Sequence, residues 1–207
     1  MRCSLTVMTS KSDAPRTEPT RGRNAHLLVA CLGTVALCAI SFAPQISVPK
    51  YRYAVFSLVP TLWVAYALRR RLALSPLHYA LFAVALLLHD LGAFGWYSRH
   101  VAGLQFDWVI HFYFGMVGGL IVGRALNVQL GIRGFALALV SVLVVGGIGA
   151  LHEIMEAGTN MLPGDNGMLY IGADNPYDSQ EDMLAGTLGA CTATLLRLTR
   201  RAARPHS

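Results

Sequence analysis

Six apolar runs, separated by short polar segments, organise this chain. They fall at 26–43, 52–68, 75–97, 105–123, 134–157 and 180–198. Each approaches the ~20 residues that cross the hydrocarbon core of a bilayer as a helix. The pattern predicts an all-α, polytopic membrane helix bundle of about six spans. Residues 1–24 are polar and rich in Ser, Thr, Pro and Arg, which predicts a disordered tail. Residues 25–199 form the transmembrane domain and 200–207 a short basic tail. The first run also has the form of a signal-peptide core ending at Ser41-Phe42-Ala43. Pro44 behind that cleavage position, and the length of the run, favour a retained span.

An even number of spans puts both termini on one side, and the basic residues say which. With the N-terminus inside, fourteen Lys and Arg fall on inner segments, among them Arg69, Arg70, Arg71, Arg124, Arg133, Arg197, Arg200 and Arg201. Only Lys50, Arg52 and Arg99 fall outside. This asymmetry orients a membrane protein with both termini cytoplasmic. It also accounts for the net charge of +6 without nucleic acid as a partner. The chain is 54% hydrophobic and 14% charged, where a soluble domain carries about 25% charged residues. Cys3, Cys31, Cys38 and Cys191 lack paired spacing, so neither a disulfide framework nor a zinc knuckle is expected.

The acids distribute the opposite way. Asp13 and Glu18 lie in the tail; the other nine fall on the outer half of the same topology. The third span carries His89 and Asp90 near its outer end, and the fourth carries Asp107 and His111 near its start. The fifth ends in the stretch LHEIMEAG, with His152, Glu153 and Glu156. The sixth opens with Asp178, Glu181 and Asp182. Four helices thus bring carboxylates and imidazoles to one depth. Asp107 and His111 are four apart, as are His152 and Glu156, so each pair shares a helix face. Small residues support close approach of the same helices, because packing in lipid runs through Gly contacts. The fourth span has Gly115, Gly119 and Gly123; the fifth has Gly146, Gly147 and Gly149; the sixth has Gly186, Gly189 and Ala190. The first two spans lack such ridges and are expected on the periphery.

Plainer roles cover several of these residues. Asp178 and Glu181 fit a helix-capping pattern. Asp165 and Asp174 fit turns in the long loop before the sixth span. His78 follows Pro76 at a helix start, and His89 has neighbouring carbonyls to bond. Trp63, Trp96 and Trp108 suit an interfacial belt. Asp107, His111, Glu153 and Glu156 resist such explanations. A charge near the helix centre costs about 2.5–3.5 kcal/mol on insertion scales. Snorkelling excuses one such group, not four on facing helices.

Three stretches, FDWVIHFYFG, LHEIMEAG and YIGADNPYDSQEDMLAGTLGA, resemble the YjdF-like family of bacterial inner-membrane proteins. The matching positions are Asp107, His111 and Phe112; Glu153 and Glu156; and Tyr170, Gly172, Asp178, Gln180, Asp182 and Met183. The chain departs from the pattern at Tyr177, at Ala173-Asp174 and at His152. A looser resemblance runs to VanZ-like membrane proteins, through DMLAGTLGA. Neither family carries a settled activity. The resemblance implies architecture, site positions and location in a bacterial cytoplasmic membrane.

The residue types define three function classes. A metal-assisted membrane site would use Asp107, His111, Glu153, Glu156 and Asp182 as ligands, with Glu153, Glu156 or Asp182 also in catalysis. Imidazole with carboxylates and no Cys suits a divalent Zn, Mn or Fe ion. His89, Asp90, His152 and Asp178 would be further binding residues. The depth suits a lipid head group or a lipid-linked substrate. An accessory lipid-binding protein is the second class. An ion- or proton-coupled transporter is the third, though the inner halves of spans three to six hold no acid, and no imidazole but His78 at the rim.

Overall fold

The computed structural model describes residues 20–43, 55–97, 99–160 and 177–202. Six helices organise them: α1 (Thr20–Ser41), α2 (Val55–Leu68), α3 (Pro76–Leu91), α4 (Phe106–Leu130), α5 (Gly134–Asn160) and α6 (Asp178–Ala202). The order and approximate bounds follow the hydrophobic runs. Helix α1 starts ahead of the run that announces it, and α4 and α6 continue past theirs. The loop bearing Asp165, Tyr170, Gly172 and Asp174 lies outside the described residues, as does most of each tail.

Among the described residues, three helical segments are long and apolar enough to cross a membrane: Gly22–Ser41, Phe106–Leu130 and Gly134–Met155. Ser57–Leu68 and Pro76–Leu91 are shorter apolar helices. Helix α6 is less apolar because acids fill its first turns and Arg197, Arg200 and Arg201 its last.

Local sequence explains the ends. Ser75 caps α3 by accepting from the His78 amide, and Pro76 occupies the first turn, where its missing N–H costs nothing. Helix α4 stops at Gly131, whose φ of 66° ends the helix in the left-handed region. Only Gly131, Ile132 and Arg133 separate α4 from α5, so the two are antiparallel neighbours. Between α3 and α4 the chain forms a π-helical turn, Gly92–Trp96, and a small hairpin pairing β1 (His100–Val101) with β2 (Leu104–Gln105).

The helices pack as two groups joined by α3 and α4. Helices α1, α2 and α3 share an apolar core of Ala30, Leu37, Leu58, Leu62, Tyr79, Ala83 and Leu86. Helices α1 and α2 pack chiefly on each other and on α3, away from the α4–α6 contact, as expected of spans without glycine ridges. Large side chains hold them in place. Trp63 belongs to this packing too: its Nε1 donates to Thr34 Oγ1 at 3.0 Å, linking α2 to α1 rather than serving only in a belt.

Helices α4, α5 and α6 form the second group, with α4 against α6 the closest contact. A Cβ added at Gly115 would meet the Gly186 backbone, and one at Gly189 the Phe112 carbonyl. One added at Gly119 would lie 3.2 Å from the Ala190 backbone. The expected α4 and α6 ridges thus face each other. The expected α5 ridge does so only at Gly146, where a Cβ would lie 3.8 Å from Thr187 Oγ1 on α6; nothing among the described residues lies within 4 Å of a Cβ at Gly147 or Gly149. Helix α5 turns Leu143, Ile148, Leu151, Ile154 and Met155 outward, where lipid can cover them.

Candidate functional site

The α4–α6 ridge sets the position of the polar groups. Gly115 meets Gly186. One turn toward the start of each helix stand His111 and Asp182, with His111 Nε2 3.4 Å from Asp182 Oδ2. One turn further on α4, Asp107 Oδ1 lies 3.4 Å from the same nitrogen. Trp108 Nε1 donates to Glu181 Oε2 at 3.3 Å, a second tie between the helix starts. Glu181, expected from sequence as a capping residue, thus bonds a side chain on α4.

Asp107, His111 and Asp182 each offer a ligand atom, and the three atoms lie within 4.8 Å of one another. Ligands about 2.0–2.6 Å from a shared ion are separated by roughly this much. Asp182 is 5% exposed, and its Oδ1 is buried without a hydrogen-bond partner among the described residues. Buried polar atoms are almost always bonded, so an orphaned carboxylate oxygen beside two other ligand atoms is unusual.

Helix α5 supplies the neighbouring wall. Glu153 is 8% exposed, on the face opposite the lipid-directed Ile154 and Met155, and acts electrostatically on both His111 and Asp182. It is not one of the three close ligand atoms. Glu156 continues α5 one turn past His152; its side chain lies outside what the structure describes. The His152 ring centroid is 6.4 Å from that of His111 and 6.1 Å from that of His89.

The third span divides its two polar residues. His89 turns toward the cluster, with the Tyr97 hydroxyl 2.6 Å from its Nδ1. That hydroxyl is also 3.4 Å from the His89 carbonyl, so a side chain joins the expected backbone partner. Asp90 turns the other way. It is fully buried and accepts from Ser41 Oγ on α1, at 3.3 Å. Adjacent helix positions point about 100° apart, so the two could not both face one centre. Asp90 thus leaves the group expected from sequence. Asp178 lies at the first residue of α6, one turn before Asp182.

Sequence reasoning misses Tyr97 and Trp108 as site groups. Tyr97 reaches His89 because Gly92 leaves room: a Cβ there would collide with the Tyr97 ring. A glycine five residues before a tyrosine at a span end is the only signal for this, and it has no helical period.

Six helices of this composition, with apolar faces exposed and polar groups gathered inside one end, define an all-α membrane protein. The chain belongs to the family described as Predicted membrane protein (DUF2238), whose model matches residues 25–203. No curated protein and no solved structure matches it.

Proposed function

We propose that Asp107, His111 and Asp182 hold a divalent cation, and that this site binds and acts on the head group of a lipid or lipid-linked substrate at the outer leaflet of a bacterial cytoplasmic membrane. The observation that carries the reading is the convergence of three ligand atoms from two helices, one of them from Asp182, whose buried Oδ1 has no hydrogen-bond partner among the described residues. Two carboxylates and an imidazole suit Zn, Mn or Fe. An ion at this place would offset the repulsion between the Asp107 and Asp182 carboxylates, which opposes the close α4–α6 packing.

Such an ion would supply Lewis acidity toward a phosphoryl or carbonyl oxygen and would acidify a bound water. Asp107, His111 and Asp182 would fix it. Glu153, the buried carboxylate alongside, would accept a proton from an attacking water; Glu156, one turn from His152 on α5, is the second candidate. The YjdF-like and VanZ-like motifs point to the same positions. The lipid-directed side chains of α5 next to Glu153 support a substrate that arrives from the bilayer.

Metal analysis of purified protein tests the reading. After loading with Zn or Mn and desalting, wild type should retain an ion that an Asp107→Asn, Asp182→Asn double variant loses. Equal retention by the two proteins, or none by wild type, removes the proposal.

A further inference from the structure

The hairpin between α3 and α4 leaves two apolar side chains and one cation largely uncovered. His100 pairs with Gln105 and Val101 with Leu104, so only Ala102 and Gly103 make the turn. Both have positive φ, 52° and 84°, as a tight two-residue hairpin turn requires. The turn therefore holds Val101 and Leu104 opposite each other at the tip, 42% and 58% exposed. Directly opposed residues share one face of the ladder, so the two form a single apolar tip.

The base of the hairpin is fixed to α4. The Phe106 amide donates to the Arg99 carbonyl at 2.7 Å, and the Arg99 amide to the Trp96 carbonyl at 2.9 Å. Phe106 is buried and meets Trp96 edge-on, with ring centroids 5.5 Å apart. The Arg99 guanidinium lies 4.9 Å from the centroid of the same Trp96 ring. Arg99 is exposed, and it is the one Lys or Arg among the described residues at this end of the bundle. It forms no ion pair and no side-chain hydrogen bond among the described residues, although acids gather nearby. Its fork of N–H donors, which suits bidentate contact with phosphate, is thus held over a ring and open at the surface.

An apolar tip with Trp and Arg at its base matches the layers of a bilayer surface. Acyl chains accommodate Val101 and Leu104, indoles favour the boundary, and phosphates just outside meet a guanidinium. The hairpin joins two apolar helices directly, so the leaflet lies beside it. We propose that the 99–105 hairpin docks on the leaflet at the acidic end of the bundle, with Val101 and Leu104 among acyl chains and the Arg99 guanidinium on a lipid phosphate. The lipid so held stands at the start of α4, because the Arg99 carbonyl is bonded to the residue before Asp107. The docking needs no bound cation. Where the cation reading also holds, the hairpin supplies that site with phosphate-bearing lipid.

Two measurements on the full-length chain test the two halves of the contact, with folding of each variant checked by size exclusion. In vesicles of phosphatidylglycerol and phosphatidylcholine, the emission that Leu104→Trp adds to wild type should be quenched by bromines on the acyl chains and spared by aqueous acrylamide. Quenching by acrylamide without quenching by bromines puts the tip outside the leaflet and overturns the docking. In detergent, phosphatidylglycerol should raise the melting temperature of wild type more than that of Arg99→Gln. Diacylglycerol, with the same chains and no phosphate, should act equally on both, and Arg99→Lys should recover part of the difference. Equal responses of wild type and Arg99→Gln to phosphatidylglycerol overturn the phosphate contact. The same gain from inorganic phosphate alone marks a free-anion site and overturns the lipid. Zn retention by Arg99→Gln should match wild type; a wild type without Zn removes the cation reading and leaves this one standing.

Discussion

His111 Nε2 lies 3.4 Å from Asp182 Oδ2, one helical turn from the point where Gly115 of α4 meets the Gly186 backbone of α6. The two contacts belong to one register. Small residues bring the helix axes close, and that closeness places an imidazole against a buried carboxylate. Packing and site chemistry are therefore coupled, which the following experiments exploit.

Metal should stabilise the wild-type fold. A ligand at 100 times its dissociation constant contributes about 2.7 kcal/mol when it binds only the folded state. Zn or Mn should raise the melting temperature in detergent, and a chelator should lower it. Asp182→Asn should melt higher than wild type in chelator, because it removes a buried acid next to Asp107, and should lose the response to metal. A metal response that persists in Asp182→Asn contradicts the assigned ligand.

Gly115→Ala should destabilise more than Gly33→Ala. At Gly115 the new methyl meets the Gly186 backbone, which can yield only if α4 and α6 separate. At Gly33 the nearest atom is Leu62 Cδ2, at 2.9 Å, the end of a side chain that can rotate away. Overpacking of a well-filled interface costs about 1–3 kcal/mol. Thermal melts of the two variants compare them directly. Equal shifts would mean that α4 and α6 leave room for a methyl group at Gly115.

Ser41→Ala separates Asp90 from the metal question. The change removes a hydroxyl that donates to a fully buried carboxylate. Leaving a buried acceptor short of a partner costs about 1–3 kcal/mol, more if it is charged. The variant should melt lower yet retain the wild-type metal content. Loss of metal with retained stability would return Asp90 to the site.

Topology is open to direct measurement. Fusions of a cytoplasmic fluorescent reporter at Ser207 and of a periplasmic phosphatase reporter within residues 160–175 should both be active. An active phosphatase at Ser207 would reverse the membrane orientation and move the acidic end to the cytoplasm.

The sequence by itself determined the helices, their order and the end at which the acids gather. These follow from hydrophobic run length and from charge, both of which act locally against the bilayer. It also determined that Asp107 and His111 share a face, because a spacing of four is a property of any helix. Which faces meet is a tertiary matter. Gly115, Gly119, Gly147 and Gly149 look alike in sequence, yet only the α4 pair packs, because a glycine is useful only where another backbone comes close. His89 and Asp90 look like one polar pair until α1 claims one and the cluster the other. Tyr97 reaches His89 across Gly92 through a π-helical turn that no period announces. Local free energies wrote the elements; the partner that each side chain found depended on where the other helices left room.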